Sequence, residues 1–193
     1  MISPHWSENL SMSLKKLYPE YPTTPMKIAE IGCFEGFGTL KLVERCCKHE
    51  ESRVVCIDPW DDVYVKEGEL FKNYNDDWWV NQYNRFLANT TSIQSKLILK
   101  RGTSTNVLPT LEPKSFDLIY VDGDHSSNQV YLDAQLSLPL MKQGGIILFD
   151  DYIWGHGGDP GPSAGIQKFL EEHKTDVEVV YIEYNQCAIK VLV

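Results

Sequence analysis

Two acidic groups stand at the ends of short apolar runs. Asp122-Gly123-Asp124-His125 closes Phe116–Val121, and Asp150-Asp151 closes Ile146–Phe149. Between the runs lies an amphipathic stretch, about Asn128–Lys142, closed by Gly144-Gly145. Strand-length apolar runs bracketing a helix-length periodic segment make a βαβ unit, whose strands are parallel neighbours with carboxyl ends on one side. That arrangement predicts that Asp122, Asp150 and Asp151 converge. Three converging carboxylates repel one another unless a cation lies between them, and an all-oxygen set suits Mg²⁺, Mn²⁺ or Ca²⁺. The plainer alternative is that these acids cap helices or lie in solvated loops. His125, three residues after Asp122, is a group that accepts a proton near neutral pH. Its plainer role is to start the next helix or to bond a backbone carbonyl, and His156 and Asp124 are the other candidate bases.

A second constellation lies upstream. Lys27–Ile31 reads as a strand running into Gly32-Cys33-Phe34-Glu35-Gly36-Phe37-Gly38, then a helix over Thr39–Lys48 and a second strand, Arg53–Ile57, ending at Asp58. A glycine-rich turn between strand and helix lets the backbone approach a ligand and aims helix N–H groups at it. An acid ending the second strand can accept both ribose hydroxyls. The dinucleotide fingerprint is GxGxxG, whereas this loop is GxxxGxG preceded by Glu30, which disfavours a nicotinamide oxidoreductase.

The remaining elements frame these two. Ser7–Leu17 reads as a helix covering one edge of the sheet, and Tyr18–Pro25 as a proline-punctuated connection. Residues 61–95 form an insertion over the active face. In it Asp61–Asp77 lacks periodicity, as a lid or binding loop does, while Trp79–Thr90 has helical spacing that turns Trp79, Tyr83, Phe86 and Leu87 toward the core. Lys96–Lys100 is a third strand leading into Gly102-Thr103-Ser104 and a helix over Thr105–Leu111. After the acidic unit come a flexible loop, Gly155–Pro162, a helix, Ser163–His173, and strands Val177–Glu183 and Ala188–Val193, close enough to be antiparallel. The sum is one α/β domain with a seven-stranded, mostly parallel sheet, a reversed last strand and helices on both faces.

Composition narrows the partners. A chain of 193 residues makes one domain with a full core, and a formal charge of −9 argues against nucleic acid or an anionic membrane as partner. Cys33, Cys46, Cys47, Cys56 and Cys187 are an odd number without metal-ligand spacing, as expected of buried reduced thiols in a cytoplasmic protein. No signal peptide or long apolar span is present, so the expectation is neither secretion nor membrane spanning. A homo-oligomer, or a domain of a larger polypeptide, stays open.

Glu30–Gly38, Asp58, Gly102–Ser104, Val121–His125 and Phe149–Tyr152 occur in the order seen in class I S-adenosylmethionine-dependent methyltransferases, which the chain resembles from Lys27 onward. Phe34, where many members carry a glycine, looks like the metal-dependent O-methyltransferase branch. Within it the chain is most similar to enzymes that methylate sugar hydroxyls of glycosylated natural products, and more distantly to catechol O-methyltransferases. The resemblance implies an S-adenosylmethionine site over Glu30, Gly32, Cys33, Phe34, Gly36, Gly38, Asp58, Trp60, Gly102, Thr103, Ser104 and Asp122. It further implies Mg²⁺ or Mn²⁺ on Asp122, Asp150 and Asp151, His125 as base, and a neutral glycan or small-molecule diol as acceptor. Tyr64, Tyr74 or Trp154 would pack on a sugar face. The catechol branch usually ends its ligand set in Asn, so Asp151 favours the sugar-like branch. The rival readings are a catechol or phenolic O-methyltransferase and a non-catalytic cofactor-binding domain.

Overall fold

The computed structural model describes residues 8–60, 81–155 and 157–193. Its elements are α1 (Glu8–Leu17), β1 (Lys27–Ile31), α2 (Phe37–Cys46), β2 (Arg53–Asp58), α3 (Gln82–Asn89), β3 (Leu97–Arg101), α4 (Ser104–Val107), β4 (Phe116–Val121), α5 (Ser127–Ser137), β5 (Met141–Phe149), α6 (Pro162–Glu172), β6 (Val177–Glu183) and β7 (Gln186–Val191). They build one seven-stranded sheet in the order β3-β2-β1-β4-β5-β7-β6. All pairings are parallel except those of β7, which runs antiparallel to both β5 and β6.

The central strands are near-continuous apolar runs because both faces of the sheet are covered. Successive residues of a strand point to opposite faces. Ala29, Val55, Ile119 and Ile147 therefore join Ala134, Ile166 and Phe169 in one core, while Ile28, Val54, Leu118 and Leu148 join Leu10, Leu14 and Leu42 in the other. α1 thus packs on a face of the sheet, through Leu10 and Leu14, and not along an edge as its sequence position implied.

Several boundaries differ from the sequence reading for local reasons. The helix expected to run to Lys142 stops at Ser137, because Pro139 withdraws an N–H and turns Leu138–Leu140 into a 3-10 segment. β5 then starts at Met141, so Gly144-Gly145 lie inside the strand at a register irregularity and do not close a helix. Pro109 likewise splits the expected Thr105–Leu111 helix into α4 and a 3-10 turn. α2 begins two residues early, directly after Gly36 at φ 87°. β6 and β7 meet at a tight turn in which Tyr184 (φ 55°) and Asn185 (φ 57°) are both left-handed, so β7 starts at Gln186 and not Ala188. Asp61–Asp77 and Trp79 fall outside the described residues. Of the aromatics described in that region, Phe86 is fully buried, with Tyr83 and Leu87 packed beside it.

The order β2-β1-β4-β5 matters for function. The chain leaves β1 toward β2 and β3 and later resumes at β4 on the other side of β1, so β1 and β4 flank the crevice where the strand order reverses. Ile31 pairs with Val121 at the ends of these strands, which sets Gly32 and Asp122 opposite each other at the carboxyl edge.

Candidate active site at the carboxyl edge

The glycine loop after β1 is drawn tight against its surroundings. Gly32 sits at φ 84°, and a Cβ there would lie 2.1 Å from the Asp122 carbonyl oxygen, so the β1 and β4 loops touch backbone to backbone. Below the loop, Glu30 is buried at 1% exposure and accepts a hydrogen bond from Thr39 Oγ1. Burial pushes its carboxyl up to about 8. A Cβ on Gly38 would stand 2.5 Å from Glu30 Oε1, so glycine there makes room for the acid. Glu30 therefore supports the loop from beneath and does not present its carboxyl at the surface.

Asp58, expected to accept two ribose hydroxyls, accepts three backbone N–H groups in the ligand-free fold. Cys33 N and Phe34 N donate to Oδ2, both at 2.9 Å, and Trp60 N donates to Oδ1 at 2.6 Å. Trp60 is also turned inward, 4% exposed, with its ring 5.2 Å from Tyr83 and 4.8 Å from Phe86 and its Nε1 donating to the Phe34 carbonyl at 2.9 Å. Glu35, 5% exposed, accepts Arg85 Nε at 2.6 Å and ties the loop to α3. Beside β3, Ser104 is buried and receives Gln129 Nε2 at 3.2 Å, while Thr103 Oγ1 pairs with Thr105 Oγ1 at 3.0 Å. Thr103, the residue before α4, makes no side-chain capping hydrogen bond to it. Gly102, at φ 154°, turns the chain as its N–H donates to the Asp58 carbonyl.

Across the crevice the acids meet. Burial, then Asp150, then Asp151 holds the Asp122 carboxyl well above the usual carboxylate range. Asp151 is raised for similar reasons, with His125 opposing. The donor atoms that lie within 4.8 Å of one another belong to Asp122, His125 and Asp151, with His125 Nε2 3.5 Å from Asp151 Oδ2. Asp150 stands apart from that trio, a departure from the expected set of Asp122, Asp150 and Asp151. Its Oδ2 accepts the Tyr120 hydroxyl and its Oδ1 accepts Asp151 N at 2.8 Å, which turns it back toward the sheet. Asp151 takes φ 50°, and Asn185 Nδ2 donates to its Oδ1 at 2.9 Å. The β6–β7 turn thus fixes the acidic corner.

Trp154 lies 5.3 Å from the His125 ring, centroid to centroid. Beyond it, Asp159 accepts Ser127 N and Gly161 N, which pins the loop after β5 onto the start of α5. A cleft of about 510 Å³, lined by Ser127, Asn128, Tyr131, Asp159, Gly165 and Lys168, opens there. Asp124 turns away and accepts Ser126 N at 2.8 Å. Tyr64, Tyr74 and His156 lie outside the described residues.

Tyr120 is the residue the sequence reading passed over. Its hydroxyl bridges Asp150 and Asp122, the latter at 3.1 Å, from a fully buried position. The signal was present: Tyr120 is the polar-tipped residue in an otherwise aliphatic strand end, and a buried phenol needs a partner.

Residues 29–152 match a family model described as "Methyltransferase domain". A protein named catechol O-methyltransferase from Mycobacterium tuberculosis is 36% identical over 131 residues, 68% of this chain and 50% of the relative. The chain spans about half the length of the curated relatives it matches first. Among solved structures, the Streptomyces achromogenes O-methyltransferase TomG, in complex with SAM, superposes with a TM-score of 0.65 at 18% identity, covering 100% of this chain and 82% of that one. A Bacillus cereus O-methyltransferase in complex with SAH gives 0.64 at 17% identity, covering 100% and 83%. At these identities the superpositions establish a common fold.

Proposed function

The chain belongs to the methyltransferase domain family, and we propose that it transfers the methyl group of S-adenosylmethionine to a hydroxyl oxygen of a small acceptor bearing a vicinal diol. The observation that carries this reading is the meeting, at one crevice, of the tight glycine loop after β1 with the Asp122–His125–Asp151 corner after β4 and β5. The loop supplies backbone N–H groups and the start of α2 for the cofactor. A sulfonium methyl is already activated, so the protein needs an in-line approach and a nucleophilic oxygen.

The donor set suits a divalent cation. Asp122 is desolvated and crowded by two more carboxylates, a strain that a 2+ charge relieves. Asp122 and Asp151 would hold it, with Asp150 behind them, and Mg²⁺ or Mn²⁺ there would supply a Lewis acid that makes an acceptor hydroxyl easier to deprotonate. His125 then takes the hydroxyl proton at Nε2, and Asp151 Oδ2, 3.5 Å from that nitrogen, offsets the charge the ring gains. Trp154, against the His125 ring, offers an aromatic face to the rest of the acceptor.

We assign the acceptor to neutral glycans or glycosides, since three carboxylates repel anionic groups and sugars present vicinal diols. A phenolic acceptor is the second reading, favoured by the name of the Mycobacterium tuberculosis relative. Calorimetric titration with S-adenosylmethionine, S-adenosylhomocysteine and NAD tests the cofactor, and binding of NAD alone would overturn the proposal. Turnover of catechols with none of glycosides would transfer the assignment to the second reading.

A further inference from the structure

The geometry points to Gln186 as a positioning residue for the acidic corner, its buried amide a hydrogen-bond donor held ready for Asp150. This inference rests on the cation reading above. Gln186 opens β7 at 0% exposure, and neither Nε2 nor Oε1 has a hydrogen-bond partner among the described residues. Buried amides are nearly always partnered, because burial without a partner forfeits the hydrogen bonds that water gave. An apolar side chain of the same size would fill the position at less cost, so the amide calls for a reason.

Strand register supplies it. Leu148 pairs with Ala188 and Phe149 with Cys187 in the antiparallel β5–β7 ladder, so the next step sets Asp150 opposite Gln186, and Tyr152 N donates to the Asn185 carbonyl just beyond at 2.8 Å. Alternation along the strands puts both side chains on the face of the sheet that carries Leu148 and Ala188, where the Tyr120 hydroxyl meets Asp150. On the other side Glu183 pairs with Gln186 across β6, and its carboxylate is taken by Lys16 at 2.6 Å. Facing side chains of an antiparallel pair have Cβ atoms about 5 Å apart, within reach of a glutamine amide. Asp150 has room for the donor, since the Tyr120 hydroxyl and Asp151 N occupy two of the roughly four acceptor sites of a carboxylate. Gln186 breaks no hydrogen bond of its own when its amide turns, so it follows Asp150 as a cation draws the acids together. Bonded there, it fixes the carboxylate behind the corner, as outer groups fix the ligands of a metal.

The test is electron paramagnetic resonance titration of Mn²⁺ into wild type, Gln186→Met and Ser13→Ala, with urea denaturation of the cation-free proteins. Ser13 is the control: it lies on α1 over the same face, fully buried, and its Oγ also lacks a partner. Gln186→Met should bind Mn²⁺ about 10–100-fold more weakly, while its urea midpoint equals or exceeds that of wild type. Ser13→Ala should keep the wild-type affinity. Unchanged Mn²⁺ affinity in Gln186→Met, an equal loss in Ser13→Ala, or a urea midpoint that falls along with the affinity would overturn the inference. Wild type that binds no Mn²⁺ overturns the cation reading instead. A measurement free of any variant guards against misfolding of the Gln186→Met protein: the side-chain amide resonances of Gln186 in wild type, followed by NMR as Mg²⁺ is added. The Nε2 protons should move downfield as they take up the Asp150 carboxylate. Resonances that stay in place through Mg²⁺ saturation would show that the amide does not serve the corner.

Discussion

The hydroxyl of Tyr120 lies 3.1 Å from Asp122 Oδ2 and also hydrogen-bonds Asp150 Oδ2, so one buried phenol joins the acids that end two neighbouring strands. Burial and both acids hold the phenol well above its ordinary pKa, so it remains a donor. Tyr120→Phe leaves the two carboxylates facing each other without that proton. The expected outcome is weaker Mn²⁺ binding by roughly 10–100-fold, the usual effect of removing a group that orients ligands. Electron paramagnetic resonance titration of Mn²⁺ reads this directly, and unchanged affinity would remove Tyr120 from the account.

Backbone contact between the two loops gives a stability prediction. Gly32→Ala places a methyl 2.1 Å from the Asp122 carbonyl at φ 84°, whereas Gly157, at φ 61°, has nothing within 4 Å. Gly157→Ala should cost only the left-handed penalty, about 1 kcal/mol. Gly32→Ala should cost that plus the clash, more than ~3 kcal/mol in total. Urea denaturation of the two variants measures the difference, and equal costs would contradict the loop contact.

Glu30 makes stability depend on pH. Its carboxyl is pushed from 4.5 up to about 8 by burial, so the folded state keeps the proton between these values while the unfolded chain releases it. Stability from this group is full below about 4.5 and falls as pH rises toward 8, by an amount on the order of a few kcal/mol. Glu30→Gln keeps an acceptor for Thr39 and cannot ionise. The stability of wild type relative to Glu30→Gln should therefore decline across that window in cofactor-free protein. A difference independent of pH would show that Glu30 is ionised in the folded state.

His125 carries the chemical step in the proposed mechanism. His125→Ala should lower kcat by about 10²–10⁴-fold, the range for removal of a general base, with S-adenosylmethionine affinity unchanged. Single-turnover kinetics with a saturating acceptor would check it. Near-normal kcat would move the role to Asp124, His156 or water.

The parts of this fold legible in the sequence were those written in periodicity. Apolar runs such as Phe116–Val121 gave β4, and their order gave the switch point that sets Gly32 opposite Asp122. Side-chain direction at the strand ends was not legible, because it depends on partners distant in sequence. Asp150 turns inward to meet Tyr120, His125 takes its place near Asp151, and Asp58 is occupied by amides from 24 and 25 residues earlier. Local breaks were readable but outvoted: Pro139 ended a helix whose apolar spacing continues to Lys142. Five buried free cysteines match the thiol expectation, and among the described residues no helix is long and apolar enough to cross a membrane.

The central claim is that the acidic corner activates an acceptor hydroxyl for methylation. Methyl-labelled S-adenosylmethionine, incubated with a vicinal-diol glycoside, tests it when label on the acceptor oxygen is followed before chelation, after it, and after Mn²⁺ is restored. The account predicts that transfer stops with chelator and returns with Mn²⁺ in wild type, but does not return in Asp151→Ala. Label transfer that continues undiminished in chelator, or that Asp151→Ala supports at the wild-type rate, would contradict it.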